Sequence, residues 1–221
     1  MIKTMIRAAI FDMDGLLIDS EPFWSRASKD AFKTLDIEIT DQDMLDVKGT
    51  RTPETVEHFR DKYGVPDDKQ KVIETLIYDD VTAMIKAEGK LLSGALEALK
   101  SCQKAGLPLA LASSSTHEII NAVMAKLGIR QLFDHVHSGA NEQFSKPHPA
   151  TFITSAKLLG VPPQQCLVFE DSPAGVLAAK AARMKCVAVP EPEVRDNPFI
   201  KTADVILDSL EDFDAAMLQS V

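Results

Sequence analysis

Asp12 and Asp14 stand one residue apart, directly after the apolar run 6–11. Two carboxylates at that spacing can share a cation, and an aspartate is a usable nucleophile toward phosphorus. The plain alternative is a solvated turn, since Asp and the following Gly15 are common turn residues. A second apolar run, 108–112, is followed by Ser113-Ser114-Ser115-Thr116. Hydroxyls and free backbone N–H groups where a helix opens form an anion site. A helix cap needs only one of these four, and Thr116 or Ser115 suits it. Ser113, nearest the strand end, is the best phosphate ligand, with Ser114 beside it. In Ser145-Lys146-Pro147-His148-Pro149 two prolines stiffen the backbone around a lysine. That lysine is either a fixed charge in a cleft or an exposed loop residue. The run 166–169 leads into Glu170-Asp171-Ser172-Pro173. These acids could complete a metal site, or simply complement the dipole of a helix opening at Ser172-Pro173. Each signal has a bland reading alone. Together they place acids, a hydroxyl, a lysine and two more acids at successive strand ends or helix starts.

The elements that must carry these groups follow from pattern. Residues 6–11, 108–112, 135–137, 166–169 and 186–189 read as strands, with 205–206 as a short last one. Residues 94–105, 116–127, 149–159 and 173–182 read as helices, three of them closed by Gly106, Gly128 and Gly160. Such alternation predicts an α/β fold, a Rossmann-like parallel sheet with helices on both faces. Ligands bind there outside the carboxyl ends of the strands. Residues 20–88 differ. They are polar and helical in period, with Phe23, Ala27, Ala31, Phe32 and Leu35 on one helix face. A second helix is predicted near Pro53 with Thr52 as its N-cap, and a third over 69–87. The pattern predicts a discontinuous α/β core, 1–19 and 89–221, interrupted by an α-helical insertion, 20–88.

Composition excludes several classes. The 221 residues carry a net charge of −9 and no basic stripe, which argues against nucleic acid. No apolar run approaches the roughly 20 residues of a membrane helix, and Asp12 and Asp14 interrupt any signal-peptide core. Three widely spaced cysteines, Cys102, Cys166 and Cys186, suit neither a disulfide framework nor a zinc site. A reducing, cytoplasmic location is expected.

Taken together, the sequence resembles the haloacid dehalogenase superfamily, phosphatase branch. Phe11-Asp12-Met13-Asp14-Gly15 resembles its first motif and Leu111-Ala112-Ser113 its second. Ser145-Lys146-Pro147 resembles the third and Glu170-Asp171-Ser172 the fourth. Residues 11–22, Phe-Asp-Met-Asp-Gly-Leu-Leu-Ile-Asp-Ser-Glu-Pro, are similar to sugar phosphatases acting on hexitol and 2-deoxyglucose 6-phosphates, and to the related beta-phosphoglucomutases.

That resemblance implies roles, with residues 20–88 as an α-helical cap domain over an α/β catalytic core of 1–19 and 89–221. Asp12 would attack phosphorus and form an aspartyl phosphate, with Asp14 as general acid and base. Mg2+ would be held by Asp12, the Asp14 carbonyl and Asp171, with Glu170 acting through a water. Ser113, Ser114 and Lys146 would hold the phosphoryl oxygens. Glu21, Trp24, Lys48 and Arg51 are the substrate candidates of the cap and hinge, the partner being a small phosphorylated sugar or polyol. Each has a plainer reading: a solvated acid, a core tryptophan, surface cations. Mutase relatives carry a histidine where alignment puts Trp24, which favours hydrolysis. Beta-phosphoglucomutase activity is the alternative. A phospho-acceptor signalling module is more remote, because the acids of a receiver domain come in another order. A non-catalytic binding module is remoter still. An exposed cap allows a monomer.

Overall fold

Strands buried on both faces of a sheet read as continuous apolar runs, and the central ones here do so. The structure is a computed structural model and describes residues 5–219; residues 1–4 and 220–221 of the expected core lie outside it. β1 (Ala8–Phe11), β2 (Leu109–Ser113), β3 (His135–Ser138), β4 (Cys166–Glu170), β5 (Lys185–Ala188) and β6 (Val205–Ile206) form one sheet in the order β3-β2-β1-β4-β5-β6. Every pairing is parallel. The chain adds β2 and β3 on one side of β1 and β4 to β6 on the other. The carboxyl ends of β1, β2 and β4 therefore meet at the switch point, where such sheets bind ligands.

Four helices lie between β1 and β2 in the chain: α1 (Glu21–Lys33), α2 (Asp41–Asp46), α3 (Thr52–Tyr63) and α4 (Gln70–Glu88). They form the inserted helical segment, the place of the expected cap. Its two connections to the sheet run side by side, with Asp19 N–H donating to Lys90 O at 3.3 Å and Leu92 N–H to Leu17 O at 3.0 Å. Four more helices cover the sheet: α5 (Ala95–Lys104), α6 (His117–Leu127), α7 (Ala150–Leu158) and α8 (Pro173–Ala181). Alternate strand residues supply the two cores. Ala9, Phe11, Leu111 and Phe169 join one cluster with α5, α6 and the cap, and the Phe11 and Phe169 rings stack at 4.2 Å. Ala8, Ile10, Ala110 and Val168 join the other with α7 and α8.

Two expectations for the cap need correction. The helix near Pro53 begins at Thr52 itself, and Arg51 is its N-cap. The short α2 was not anticipated at all. Six residues are too few to show a helical period, but the local chemistry is sufficient. Thr40 Oγ1 accepts from Asp43 N at 3.2 Å, and the Asp43 carboxylate accepts from Thr40 N at 2.7 Å, a capping box. Buried Asp43 also accepts from Lys62 and, at 2.7 Å, from the Tyr63 hydroxyl, which pins α2 to the end of α3.

Candidate active site

The floor of the site is Asp12, buried at the end of β1 and fixed by its N–H donating to Phe169 O at 3.0 Å. Lys146 reaches it from the loop before α7. Its Nζ lies 2.7 Å from Asp12 Oδ1 and 2.6 Å from Glu170 Oε1, over the Phe152 ring. The exposed-lysine alternative is thereby removed. The other Glu170 oxygen accepts from Asp171 N, Ser172 N and Ser172 Oγ at 2.9–3.0 Å. Glu170 thus closes the start of α8, where Ser172 is the N-cap and Pro173 the first helical residue. Both of its oxygens are committed. Gly175 makes this possible: a Cβ there would stand 1.7 Å from Glu170 Oε1.

Asp171, also buried, differs from Glu170. Its Oδ2 has no hydrogen-bond donor of good geometry, although the Lys48 ammonium stands 3.1 Å away. Gly15, at φ +70°, passes so close that a Cβ would lie 2.4 Å from this oxygen. A left-handed turn and a close approach both require glycine at that point. Oxygens of Asp12, Glu170 and Asp171 lie within 4.8 Å of one another. An all-oxygen cluster with one under-coordinated carboxylate fits a small hard dication. Asp12 and Asp171 each keep one carboxylate oxygen without a hydrogen-bond donor, whereas both Glu170 oxygens are bonded.

Burial raises the Asp12 carboxyl well above the usual carboxylate range; Lys146 pulls it down, while Glu170 and Asp171 push it up. Burial likewise raises Asp171, with Lys48 opposing. Burial alone would lower Lys146, yet Asp12 and Glu170 hold it above the ordinary lysine value. The site therefore carries more negative charge than its lysines balance, and a bound dication would restore ionised carboxylates.

Asp14 is held differently. Oδ1 accepts from Ser20 Oγ at 2.7 Å and from Trp24 Nε1 at 3.1 Å. Oδ2 accepts from Ser115 Oγ at 2.8 Å and Ser113 Oγ at 3.2 Å. Four donors from β1's loop, the start of α1 and the end of β2 converge on one carboxylate. Thr116 caps α6, accepting from Ile119 N at 3.4 Å. Ser115 is therefore free for Asp14, a role that capping logic had obscured. Ser114 Oγ donates to Gly49 O at 3.3 Å and also lines the cleft.

The inserted helices border this cleft, with Glu21, Trp24, Lys48 and Arg51 all on its lining. Trp24 also packs against the apolar cluster, so its core and cleft readings coexist. The Glu21 carboxyl has no hydrogen-bond partner among the described residues. Burial pushes it up to about 7, with Lys48 opposing and Asp14 and Glu191 reinforcing. Lys48 is buried between Asp171 and Glu191. Arg51 is tied down rather than aimed at a ligand: its guanidinium donates to Glu54 at 2.5 Å and to Glu142 O at 2.8 Å. Glu54 also accepts from Ser145 Oγ, next to Lys146. Sequence reasoning missed Ser20, Glu54 and Glu191. Only Ser20 had a signal, its place in the motif of residues 11–22. The other two act across distant segments.

Residues 9–189 match the family model of haloacid dehalogenase-like hydrolases. The chain belongs to that family. It is 39% identical over 213 residues to hexitol phosphatase B of Escherichia coli strain K12, covering 95% of each chain. It is 29% identical to a fructose-1-phosphate phosphatase of the same organism, covering 81% of this chain and 94% of that one. Among solved structures, a beta-phosphoglucomutase from Clostridium difficile superimposes with a TM-score of 0.86 at 27% identity, covering 98% of this chain and 96% of that one. These relatives make the protein a phosphatase of the haloacid dehalogenase-like hydrolases. Among the described residues no helix is long and apolar enough to cross a membrane.

Proposed function

We propose that this phosphatase hydrolyses monophosphate esters of sugars or sugar alcohols, of the hexitol phosphate or 2-deoxyglucose 6-phosphate type, through an aspartyl phosphate on Asp12. The observation that carries this reading is the buried Asp12 carboxylate at the switch point, with Lys146 2.7 Å away and Asp171 in the same acidic cluster. Asp12 attacks phosphorus and the ester oxygen departs with the bond electrons. Asp14, two residues on, protonates that oxygen and later takes a proton from the attacking water. Lys146, Ser113 and Ser114 hold the phosphoryl oxygens, and Lys146 offsets the repulsion between Asp12 and the phosphate. Magnesium, held by Asp12, Asp171 and the Asp14 carbonyl with Glu170 outside them, would supply the charge that keeps Asp12 ionised. In this reading residues 20–88 act as a cap that excludes bulk water, and Glu21 accepts hydrogen bonds from substrate hydroxyls.

Two features favour hydrolysis over the mutase reaction. Trp24 meets Asp14 through an indole N–H, which can donate but cannot accept or carry a proton. Lys48 and Arg51 are both neutralised by carboxylates, which leaves neither free for a second phosphoryl group. The three cysteines are free and buried, in keeping with a reducing cytoplasm, and we propose a monomer.

Phosphate release from 2-deoxyglucose 6-phosphate, sorbitol 6-phosphate, mannitol 1-phosphate, phosphoglycolate and beta-glucose 1-phosphate tests the proposal, with magnesium and with EDTA. Magnesium-dependent release, strongest with hexose or hexitol esters and lost in Asp12→Asn, is the expected result. Conversion of beta-glucose 1-phosphate to its 6-isomer, dependent on a bisphosphate, would replace it with the mutase. No turnover of any ester by folded, magnesium-loaded protein would refute both.

A further inference from the structure

Lys48 belongs to the turn between α2 and α3, and Glu191 to the loop after β5, yet Lys48 Nζ lies 2.8 Å from Glu191 Oε2. The same nitrogen is 3.1 Å from Asp171 Oδ2. The Lys48 and Asp171 side chains are 3% and 2% exposed, while that of Glu191 is 40% exposed. Asp171 is thus the inner partner of the ammonium and Glu191 the outer one. The turn that delivers Lys48 is pressed onto the start of α8. Gly49 adopts φ +82°, and a Cβ there would lie 2.6 Å from Ser172 Oγ. The Gly49 carbonyl is in turn bonded by Ser114.

An ammonium at this distance sits on the one Asp171 oxygen that lacks a well-placed donor, and that oxygen is the obvious one for a dication. Two cations cannot crowd one buried carboxylate oxygen without strong repulsion. Lys48 and a metal ion therefore compete for Asp171. A buried ammonium left without a partner would be costly, so displacement is feasible only if another carboxylate receives it.

We infer that Glu191 is a positioning residue for the metal site, holding Lys48 so that a dication can take Asp171 from it without leaving the ammonium unpaired. This rests on the proposed reading of Asp171 as a metal ligand. Two opposite consequences follow. Removing the Lys48 charge frees Asp171 and tightens metal binding. Removing the Glu191 charge throws Lys48 back onto Asp171 and weakens it. Because coupling is reciprocal, metal also loosens the cap turn at residues 47–52.

Trp24 is the only tryptophan and touches Asp14, so its emission reports on the site. Magnesium alone is titrated into the metal-free full chain, with calorimetry as a second readout and circular dichroism as the check of folding. Lys48→Met should bind magnesium about tenfold more tightly than wild type, within the ordinary range of site-to-site coupling. Glu191→Gln, altered at a half-exposed carboxylate, should bind it about fivefold more weakly, at the low end of that range. General loosening of the cap would move both variants in the same direction. Hydrogen exchange at residues 47–52 should quicken when wild type takes up magnesium. Unchanged or weaker binding by Lys48→Met, or unchanged or tighter binding by Glu191→Gln, overturns the inference while leaving the metal site standing. No magnesium binding by wild type overturns the metal site and this inference together.

Discussion

Glu21→Gln should stabilise the metal-free protein at pH 8 and change it little at pH 5. Burial in the cleft raises this carboxyl from 4.5 to about 7, Lys48 opposing and Asp14, Glu191 and Asp12 reinforcing. The unfolded chain loses its proton near 4.5, whereas the folded chain keeps it until about 7. Between those values the folded state binds more protons, so its stability falls as pH rises. At 1.36 kcal/mol for each pKa unit, the full penalty above pH 7 is about 3 kcal/mol. The cleft admits solvent, and screening trims the difference to about 2 kcal/mol. Glutamine is neutral in both states and escapes the penalty. Urea unfolding in EDTA at pH 5 and pH 8 measures it, as the difference between variant and wild type at each pH. A gap that widens by about 2 kcal/mol from pH 5 to pH 8 supports the argument. Equal gaps at the two pH values would show that Glu21 titrates like a surface acid, and the electrostatic account of the cleft would fall. Saturating magnesium should narrow the gap, because a nearby dication favours the ionised carboxyl.

Three further outcomes are expected. Asp14→Asn should slow hydrolysis of sugar phosphates far more than that of p-nitrophenyl phosphate, whose leaving group needs no proton; equal losses in kcat on both would remove Asp14 as the acid. Lys146→Met leaves Asp12 and Glu170 without their shared cation and should cost about 3–5 kcal/mol in urea unfolding at pH 8. That cost should shrink at pH 5 as Asp12, raised by burial, takes up a proton, and a pH-independent loss would contradict it. Gly175→Ala places a Cβ 1.7 Å from Glu170 Oε1. It should destabilise the fold by about 1–3 kcal/mol, read as a drop in thermal midpoint, and an unchanged midpoint would mean that Glu170 is not pinned there.

The legible parts of this chain are those where chemistry and period coincide locally. Phe11-Asp12-Met13-Asp14-Gly15 announces itself because an apolar run buried on both faces ends abruptly in acids. Ser172-Pro173 marks the start of α8 by cap chemistry alone. Period and glycine stops place the strands and helices of the sheet to within a residue or two of their observed ends. The short α2 escaped because six residues hold no period, although Thr40 and Asp43 carried the capping signal. Ser115 escaped because two hydroxyls competed for one cap, and only the backbone angle at Thr116 settles which takes it.

The strands and helices themselves, the helix faces and the identity of the acids, lysine and hydroxyls that could do chemistry are written in the amino-acid order, because each depends on neighbours a few residues apart. The partners of those groups are not. Lys48 meets Glu191 143 residues away, Lys146 meets Asp12 134 residues away, and Ser115 meets Asp14 across 101. Short-range patterning carries no information about such pairs. They exist because a parallel sheet gathers distant strand ends at one edge, and because the cap folds back over that edge.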